Sequence, residues 1–575
     1  MASKVEHLIM KCVDNNESFI VEAGAGSGKT WSLVQSLFYI LQVKGNQLKV
    51  ANRKVACITY TNVAKEEIID RIQANQLIDV KTIHDFLWDI IKPFQRELKL
   101  ELLEIVKTQY TKNTDILLTT KATTKKYADA KEKADKYKLT LDELDKFKGR
   151  IEYKAYYDRK KGIVSHDDIL KLATAMIGKY NNIYKIIQDT YPIIFIDEYQ
   201  DTNQEIADAL LNKVKNNSSI LFGLFGDYNQ QIYGQTIGKV DDSKFNLKKI
   251  PKDENYRCSL EVINLLNKLR SDIEQRQSGE EKHGRCVCYY INNTELDTEE
   301  FISSKIYHDL NITEDMEVKR LYLVTKSIAK RNGYLGLHDL YDEENKNVTN
   351  RRSKNKDELL KNKDNRDCPF ANFLFEIEEM IELYQNNKIQ KLLAKTSYEL
   401  FCMEDKTKLN DLMQRLIEST SKSNIQEIFD FVWSNNLLKQ PSKIKHIYEN
   451  QELHDDFFYT LMKIEYIQFQ NLYYTVKKTS PFSTDHGTKG AEFDNVICFV
   501  DDSDWKTSYN FSNYFDETDA GTPRFEKTKN MLYVICSRAK YNLALVYLST
   551  LSETAQKNLK LLFGEDNYFP KTTII

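Results

Sequence analysis

Short apolar runs recur along the chain, and apolar residues at helical spacing follow most of them. A run of roughly four to eight apolar residues is typical of a strand that is buried on both faces of a parallel sheet. Such strands are predicted at Phe19-Ile20-Val21, Val55–Thr59, Ile193–Ile196, Ile220–Phe225, Leu321–Thr325, Val496–Val500 and Leu543–Tyr547. Strands that alternate with amphipathic helices predict an α/β fold with parallel sheets.

Two long helical stretches interrupt this alternation. The first, at 89–185, is rich in Lys and Tyr. The second, at 343–477, contains a charged, apolar-poor hinge at 351–366, and its helical pattern begins after that hinge. Acidic residues are interleaved with the lysines of the first stretch, so a solvated helical arm and a DNA-contacting arm both stay open. The expected domains are 1–88 with 186–257, a helical insertion at 89–185, 258–342 with 478–575, and a helical insertion at 343–477. Only a short tail is expected after the last predicted strand.

The first predicted strand leads into a glycine-rich loop and then into a helix. This loop consists of Ala23, Gly24, Ala25, Gly26, Ser27, Gly28, Lys29 and Thr30. Glycines allow backbone N–H groups to approach phosphate oxygens, an ammonium neutralises the β- and γ-phosphates, and a hydroxyl suits Mg²⁺. The stretch therefore predicts a phosphate-binding loop for ATP. A string of this kind also arises by chance, so the interpretation depends on a partner motif.

The partner motif follows the predicted strand Ile193–Ile196. Asp197 and Glu198 stand at the end of that strand, where one carboxylate suits the Mg²⁺ shell and the other suits the attacking water. The alternative is an ordinary acidic loop after a strand. Because the phosphate-binding loop lies upstream, we expect these two carboxylates to complete a site that hydrolyses ATP.

Further candidate residues follow other predicted strands. Gln230 stands beyond Ile220–Phe225, where an amide senses the γ-phosphate. Tyr256 offers an adenine-stacking ring, Arg257 offers charge to phosphate, and Arg538 is the candidate that neutralises transition-state charge. Hydroxyls and amides of the stretch 60–65, after strand Val55–Thr59, suit a nucleic-acid backbone, and a Tyr there suits base stacking. An ordinary strand-turn-helix remains the alternative for that stretch.

Composition limits these expectations without adding a function. The 82 Lys and Arg residues nearly balance the 85 Asp and Glu residues, so any DNA-binding surface must be local. No apolar stretch is long enough for a membrane span, and the N-terminus lacks the apolar core of a signal peptide. The nine cysteines show no metal-ligand spacing, so we expect a cytoplasmic protein with reduced thiols and no zinc or iron–sulfur centre.

The ordered motifs resemble those of superfamily 1 helicases of the UvrD/Rep/PcrA type. The matching strings are A-G-A-G-S-G-K-T, T-Y-T-N-V-A-K, T-I-H-D-F, D-E-Y-Q-D, G-D-Y-N-Q-Q-I-Y, N-Y-R, T-D-H-G-T-K-G-A-E-F and Y-V-I-C-S-R-A. The resemblance implies two RecA-like lobes, each with a helical insertion, and an ATPase that moves 3′ to 5′ along single-stranded DNA. It implies that Lys29, Thr30, Asp197 and Glu198 perform the chemistry, with Gln230, Arg257 and Arg538 at the γ-phosphate. It further implies Tyr256 against adenine, Glu492 on the ribose, and Tyr60, Thr61, Asn62, His84 and His486 along DNA.

Three departures from the family pattern bear on function. Gln235 and Thr236 stand where the family usually has a Trp-Arg pair at the DNA track, and no glutamine precedes the phosphate-binding loop. The arginine common before the last motif is replaced by Asn530 or Met531. The compact length resembles that of the helicase-like subunits of Gabija antiphage systems, which work beside a separate nuclease. Two functions therefore stay open, a motor on single-stranded or 3′-tailed DNA, and a DNA-end sensor that regulates a partner nuclease.

Overall fold

A computed structural model describes most of the chain. The described residues are 4–154, 158–232, 234, 236–292, 298–313, 315–322, 325–347, 369–439, 444, 456–477, 482–484, 491–502 and 509–570. They form two compact units, and the first consists of 1–318 with 488–575 while the second consists of 319–487. Every residue of the predicted ATP site lies in the first unit.

The first sheet of the first unit is parallel and has the strand order β3-β2-β6-β7-β1-β8. Its strands are β1 (Phe19–Ala23), β2 (Val55–Thr59), β3 (Ile78–Thr82), β6 (Ile193–Asp197), β7 (Leu221–Gly226) and β8 (Lys248–Lys252). The phosphate-binding loop follows β1 and the acidic pair ends β6, with β7 between these two strands. Because parallel strands end at the same edge, the two motifs meet at one edge of the sheet.

Both faces of this sheet are buried, which explains the continuous apolar runs. Phe19 and Phe195 belong to one buried cluster, and Ile20 and Ile194 belong to the cluster on the opposite face. The rings of Phe19, Phe195 and Phe225 pack edge to face, with centroids 5.4–5.7 Å apart. A side chain at Gly223 would collide with this cluster, because an added Cβ would lie 2.6 Å from Phe195 and 2.7 Å from Phe19.

Helices and short strands complete this part of the unit. The helices are α1 (Lys4–Asn15), α2 (Lys29–Val50), α3 (Asn62–Arg71), α4 (Ile83–Ile91), α5 (Gln95–Thr119), α6 (Lys125–Lys146), α7 (His166–Lys179), α8 (Asn182–Thr190), α9 (Gln204–Asp208) and α10 (Leu260–Leu269). A π-helical turn, Ala209–Val214, continues α9. Strands β4 (Glu152–Tyr153) and β5 (Ile163–Val164) pair with each other, as do β9 (Glu254–Asn255) and β10 (Arg276–Gln277). The Lys-rich stretch is therefore mainly helical, as predicted.

A second group of parallel strands in the first unit has the order β14-β15-β11-β16. These strands are β11 (Cys286–Tyr290), β14 (Phe493–Val500), β15 (Ala539–Tyr547) and β16 (Tyr568–Phe569). The helices of this part are α11 (Thr298–Phe301), α12 (Tyr307–Asp309), α21 (Phe511–Asp516), α22 (Pro523–Cys536) and α23 (Glu553–Phe563). The prediction that only a short tail follows the last strand was wrong, because α23 and β16 follow β15. Strand β16 is only two residues long, so it lacks an apolar run that would predict it.

The second unit is mainly helical. Its helices are α13 (Thr325–Arg331), α14 (Leu335–Asn347), α15 (Pro369–Gln385), α16 (Ile389–Lys395), α17 (Met403–Thr420), α18 (Ile425–Ser434), α19 (Asp456–Lys463) and α20 (Tyr466–Val476). Strand β12 (Val318–Tyr322) pairs in parallel with β13 (Phe482–Thr484). The strand predicted at Leu321–Thr325 is thus shifted, because β12 ends at Tyr322 and Thr325 begins α13.

The predicted α/β class with parallel sheets and helical insertions is confirmed. The assignment of ranges to individual domains stays a prediction. Two strands of the first sheet, β3 and β8, were not predicted. Both stand at the edges of that sheet and carry lysines, so they lack the apolar run of the central strands.

Candidate functional site: a phosphate-binding loop and its carboxylates

The phosphate-binding loop lies between the end of β1 and the start of α2. Gly26 has a φ of 73° and Gly28 has a φ of 77°, in the left-handed region that glycine adopts without strain. Gly28 caps α2, whose first residues are Lys29 and Thr30. The free N–H groups of a helix N-terminus attract anions, and α2 has 22 residues. The local geometry is therefore that of a phosphate cradle.

Lys29 and Glu198 are in direct contact. The Lys29 Nζ lies 3.1 Å from Glu198 Oε2, so residues that are 169 positions apart in the chain form one site. Asp197 is buried beside them and its Oδ1 accepts the Glu198 N–H at 3.0 Å. Burial, with the neighbouring charge of Glu198, raises the pKa of Asp197 to about 7, and Lys29 acts against that rise.

Glu198 occupies an unusual backbone conformation. Its φ is 48°, and a non-glycine residue in the left-handed region carries strain that is often found at functional sites. Gln200 holds the Glu198 carboxylate, because its Nε2 donates to Glu198 Oε2 at 2.6 Å. The Oε1 of Gln200 accepts the Asp227 N–H at 3.1 Å. Gln200 was not predicted, and it connects the acidic pair to the loop that carries Gln230.

Gln230 lies within a buried polar network. Its Nε2 donates to Asp227 Oδ2 at 3.0 Å, and its Oε1 lies 3.5 Å from an Nη of Arg538. The Arg538 guanidinium also donates to the carbonyls of Val534 and Ala491, each at 3.0 Å. Burial and the nearby Arg257 lower the pKa of Arg538 to about 10. The structure therefore brings two of the predicted γ-phosphate residues together.

Arg257 and Tyr256 lie close to the phosphate-binding loop. The Tyr256 N–H donates to Gly26 O at 3.0 Å, and the Tyr256 side chain is 45% exposed. Arg257 Nε forms an ion pair with Glu492 Oε2 at 2.6 Å. Glu492 thus contacts a phosphate-binding candidate in the structure, and its role on the ribose stays a prediction. An exposed Tyr beside the loop suits the predicted stacking on adenine.

Three residues that the sequence did not predict bond to the main chain of the phosphate-binding loop, and a fourth, Arg270, bonds to one of these three. Ala25 O accepts from Asn255 Nδ2 and from Gln275 Nε2, each at 2.9 Å. The Ala25 N–H donates to the Tyr533 hydroxyl at 3.1 Å. The same hydroxyl accepts a hydrogen bond from an Nη of Arg270 at 2.7 Å. Only Tyr533 and Asn255 stood in or beside a quoted motif. Buried polar contacts between distant positions have no signal in a single sequence.

The loop fits a triphosphate and Mg²⁺. Ser27 Oγ is buried and has no hydrogen-bond partner in the structure, so an unsatisfied donor lies within the cradle. Thr30 and Asp197 are the residues that would hold Mg²⁺. Mg²⁺ is usually bound by one or two protein oxygens with phosphates and water, so a small set of protein ligands suffices. Within the described ranges no cluster of three or more His, Cys, Asp or Glu residues forms a separate metal site.

Four of the residues predicted to contact DNA follow the ends of two neighbouring strands, β2 and β3. Thr59 at the end of β2 is paired with Thr82 at the end of β3. Tyr60, Thr61 and Asn62 follow β2 and are exposed, and Thr61 caps α3 by accepting the Ala64 N–H. These side chains therefore share one exposed edge with the start of α4, where His84 lies.

An aromatic cluster surrounds His84. The rings of His84 and His166 are stacked, with centroids 4.8 Å apart. Tyr153 hydrogen-bonds to His166, and the ring centroids of Trp88 and Tyr153 are 6.1 Å apart. Burial and the neighbouring His166 lower the pKa of His84 to about 4, so it is neutral at physiological pH. His166 was not among the predicted site residues. His486 and Gln235 lie outside the described residues.

Two parallel strand groups joined at a phosphate-binding loop define a P-loop nucleoside triphosphatase with RecA-like sheets. Residues 6–242 match the UvrD/REP helicase N-terminal domain, and the chain therefore carries a UvrD/REP-type helicase domain. The family resemblance predicted from the motifs is confirmed. No helix of the described residues combines the length and the apolar character that crossing a bilayer requires.

Similarity to whole proteins extends beyond that domain. The chain is 28% identical to Gabija protein GajB of Bacillus cereus (strain HuB5-5), over 97% of this chain and 96% of that protein. It is 23% identical to ATP-dependent DNA helicase Rep of Buchnera aphidicola subsp. Schizaphis graminum, over 94% of this chain and 93% of that protein. It is 24% identical to ATP-dependent DNA helicase PcrA of Staphylococcus aureus, over 53% of this chain and 45% of that protein.

Proposed function

We propose that the protein is a DNA-stimulated ATPase that moves 3′ to 5′ along single-stranded DNA. The observation that carries this proposal is the 3.1 Å contact between Lys29 and Glu198, which joins the phosphate-binding loop to the acidic pair. The UvrD/REP domain over residues 6–242 and the likeness to helicases Rep and PcrA support DNA as the stimulating polymer. The proposed domains are 1–88 with 186–257, 258–342 with 478–575, and helical insertions at 89–185 and 343–477.

The residues of the site divide the chemistry among them. Lys29 exchanges its Glu198 partner for phosphate oxygens when ATP binds, and this exchange releases the Glu198 carboxylate. Glu198, still held by Gln200 at 2.6 Å, then orients the attacking water and takes its proton. Thr30 and Asp197 would hold Mg²⁺, which when bound would supply positive charge to the phosphate oxygens. Arg257, Arg538 and Gln230 stabilise the negative charge that develops on the γ-phosphoryl group.

The exposed edge at the ends of β2 and β3 is the proposed DNA track. Tyr60 supplies a ring for base stacking, and Thr61 and Asn62 supply hydrogen-bonding groups for phosphates. A neutral His84 donates or accepts one hydrogen bond without adding charge. His486 completes the proposed set. ATP-driven movement of the second strand group relative to this edge would advance the protein along the strand.

Strand displacement on a 3′-tailed duplex tests the motor. Wild type and Lys29→Ala are compared with ATP and Mg²⁺, with ATP hydrolysis measured in the same reactions. We expect displacement of 3′-tailed but not 5′-tailed duplex by wild type, and none by Lys29→Ala. Hydrolysis without displacement on either tail would contradict the motor.

A second function is favoured by the full-length likeness to GajB. In this alternative the same ATPase senses DNA ends and regulates a partner nuclease subunit in cytoplasmic antiphage defence, with little unwinding. The same assay separates the two, because a sensor hydrolyses ATP when DNA ends are present and leaves the duplex intact. A circular single strand has no ends, so it should not stimulate ATP hydrolysis by a sensor of DNA ends. The same circular strand should still stimulate ATP hydrolysis by a translocase.

A further inference from the structure

The main chain of the phosphate-binding loop is held from outside at Ala25. Ala25 O accepts from Asn255 Nδ2 and from Gln275 Nε2, each at 2.9 Å. The Ala25 N–H donates to the Tyr533 hydroxyl at 3.1 Å. Ala25 lies between two glycines, and glycine loses more conformational freedom than any other residue when its backbone is fixed. The hydrogen bonds at Ala25 therefore restrict a segment that its own sequence leaves flexible.

Gln275 packs tightly against this loop. Its side chain is 3% exposed, and a Cβ added at Gly24 would lie 2.1 Å from Gln275 Nε2. Asn267 of α10 fixes the main chain of Gln275, because the Gln275 N–H donates to Asn267 Oδ1 and Gln275 O accepts from Asn267 Nδ2, each at 2.8 Å. The amide that contacts Ala25 therefore stands on a fixed backbone, and the missing side chain of Gly24 leaves space for it.

The two amides that contact Ala25 O differ in their other contacts. Asn255 Oδ1 accepts from the N–H groups of Arg257 and Cys258, at 3.0 and 2.9 Å, so Asn255 also shapes its own turn. Gln275 Oε1 is buried and has no hydrogen-bond partner among the described residues. A buried acceptor without a partner costs free energy of folding, so the stability of the fold does not explain a glutamine at this position.

We propose that Gln275 is a positioning residue for nucleotide binding, whose amide keeps the phosphate-binding loop in the conformation that receives phosphate. A loop that is ordered in advance binds its ligand more tightly, because the entropy of ordering is lost on folding and not on binding. ATP and ADP both place a β-phosphate in such a loop, so both depend on its conformation. Gln275 therefore raises the affinity for both nucleotides and leaves the chemical step to Lys29, Glu198 and their neighbours.

This inference rests on the proposed function, since it concerns the nucleotide site of that ATPase. The test is the Kd of the full chain for ADP and for a non-hydrolysable ATP analogue, with KM and kcat for ATP measured at saturating single-stranded DNA. Gln275→Met keeps the length of the side chain but removes the donor, and Gln275→Ala removes the donor and the bulk. Gln556→Met is the matched control, because the partly buried Gln556 also donates from Nε2 to a main-chain carbonyl, that of Leu551, at 3.2 Å.

We expect Gln275→Met to raise the Kd for ADP and for the ATP analogue by the same factor, about fivefold, which corresponds to the loss of one hydrogen bond. KM for ATP should rise by a similar factor while kcat changes little, and Gln556→Met should behave as wild type. The temperature of unfolding without nucleotide should not fall in Gln275→Met, because Ala25 O keeps its bond from Asn255 and the unpaired oxygen is removed. Gln275→Ala should show the same loss of affinity, and it decides the outcome if Gln275→Met unfolds.

Several results would overturn the inference and leave the proposed function standing. Wild-type affinity in a folded Gln275→Met or Gln275→Ala variant is one, and an equal loss of affinity in Gln556→Met is another. A fall in kcat at unchanged Kd would instead place Gln275 in the chemical step, and unfolding of both Gln275 variants would show a structural role. A wild type that binds neither nucleotide would reject both the inference and the proposed function.

Discussion

At the scale of the residue, Glu198 combines a strained backbone, a lysine partner and a glutamine partner. A carboxylate in this setting is held in one orientation, which is what the positioning of a water molecule requires. Its neighbour Asp197 is buried, and burial together with the charge of Glu198 raises the pKa of Asp197. The two carboxylates therefore have different environments and different proposed roles.

Replacing Glu198 with Gln should separate binding from hydrolysis. The amide keeps the shape of the side chain but cannot take a proton, so ATP turnover should fall at least about a hundredfold, a typical contribution of general base catalysis. Binding of a labelled ATP analogue should persist, because Lys29 loses its competing partner. Turnover within a few-fold of wild type would show that another residue activates the water.

Glu379→Gln is a matched control for that experiment. Glu379 pairs with Lys395 at 2.6 Å in the other unit, and its side chain is 30% exposed against 29% for Glu198. The control variant should hydrolyse ATP as wild type does. A loss of turnover in both variants would indicate a general effect of removing a paired carboxylate.

At the scale of the element, the central strands of the first sheet depend on close packing at Gly223. Gly223→Ala should lower the free energy of unfolding by about 1–3 kcal/mol, because the added methyl group would overpack the Phe19–Phe195–Phe225 cluster. Urea unfolding checks this expectation. Gly178→Ala is the control, since nothing lies within 4 Å of a Cβ added there and alanine favours a helix.

A second substitution tests the cause of that loss. Phe195→Leu removes the ring that the methyl group added by Gly223→Ala would strike, so the double variant should be more stable than the sum of the two single losses predicts. Strictly additive losses would show that the destabilisation has another origin.

The helical unit contains a buried carboxyl group that should make its stability depend on pH. Glu378 of α15 is 1% exposed and lies 3.3 Å from Gln470 of α20. Burial raises its pKa from 4.5 to about 7, so the folded unit holds a proton that the unfolded chain releases. Stability from this group is complete below pH 4.5 and is lost as pH rises through 7, by roughly 3 kcal/mol at most.

Hydrogen exchange of the amides of α15 and α20 resolves this unit from the rest of the chain. Protection in wild type should decrease between about pH 5 and 8 after correction for intrinsic exchange, and Glu378→Gln should remove most of that decrease. Glu418→Gln, at an exposed position of α17, is the control. An unchanged pH dependence in Glu378→Gln would assign the effect to other groups.

The elements also show what a single sequence reveals. Strands β1, β6, β7, β14 and β15 were predictable because burial on both faces makes them continuously apolar. Edge strands β3 and β8 were not, since Asp79, Lys81 and Lys252 interrupt their apolar pattern. The motif residues were likewise predictable because each motif is local. The Asp227–Arg270 ion pair at 3.6 Å was not, because its two halves come from separate segments.

At the scale of the whole molecule, the ATP site draws on both strand groups of the first unit. Arg538 and Tyr533, on or just after the helix between β14 and β15, contact Gln230 and Ala25 of loops that follow strands of the first sheet. Any change in the relative position of the two strand groups therefore alters the site itself. This arrangement suits an ATPase whose rate depends on a bound polymer.

Steady-state ATP hydrolysis with and without single-stranded DNA tests most directly whether the protein is a DNA-stimulated ATPase, with Lys29→Ala as the inactive reference. Thermal unfolding of the variant checks that it is folded. We predict that DNA raises the rate for wild type at least about tenfold, within the usual range of coupling between sites. Lys29→Ala should show no turnover under either condition. A wild-type rate that does not depend on DNA, or hydrolysis that persists in a folded Lys29→Ala variant, would contradict the assignment of this site as a DNA-stimulated ATPase.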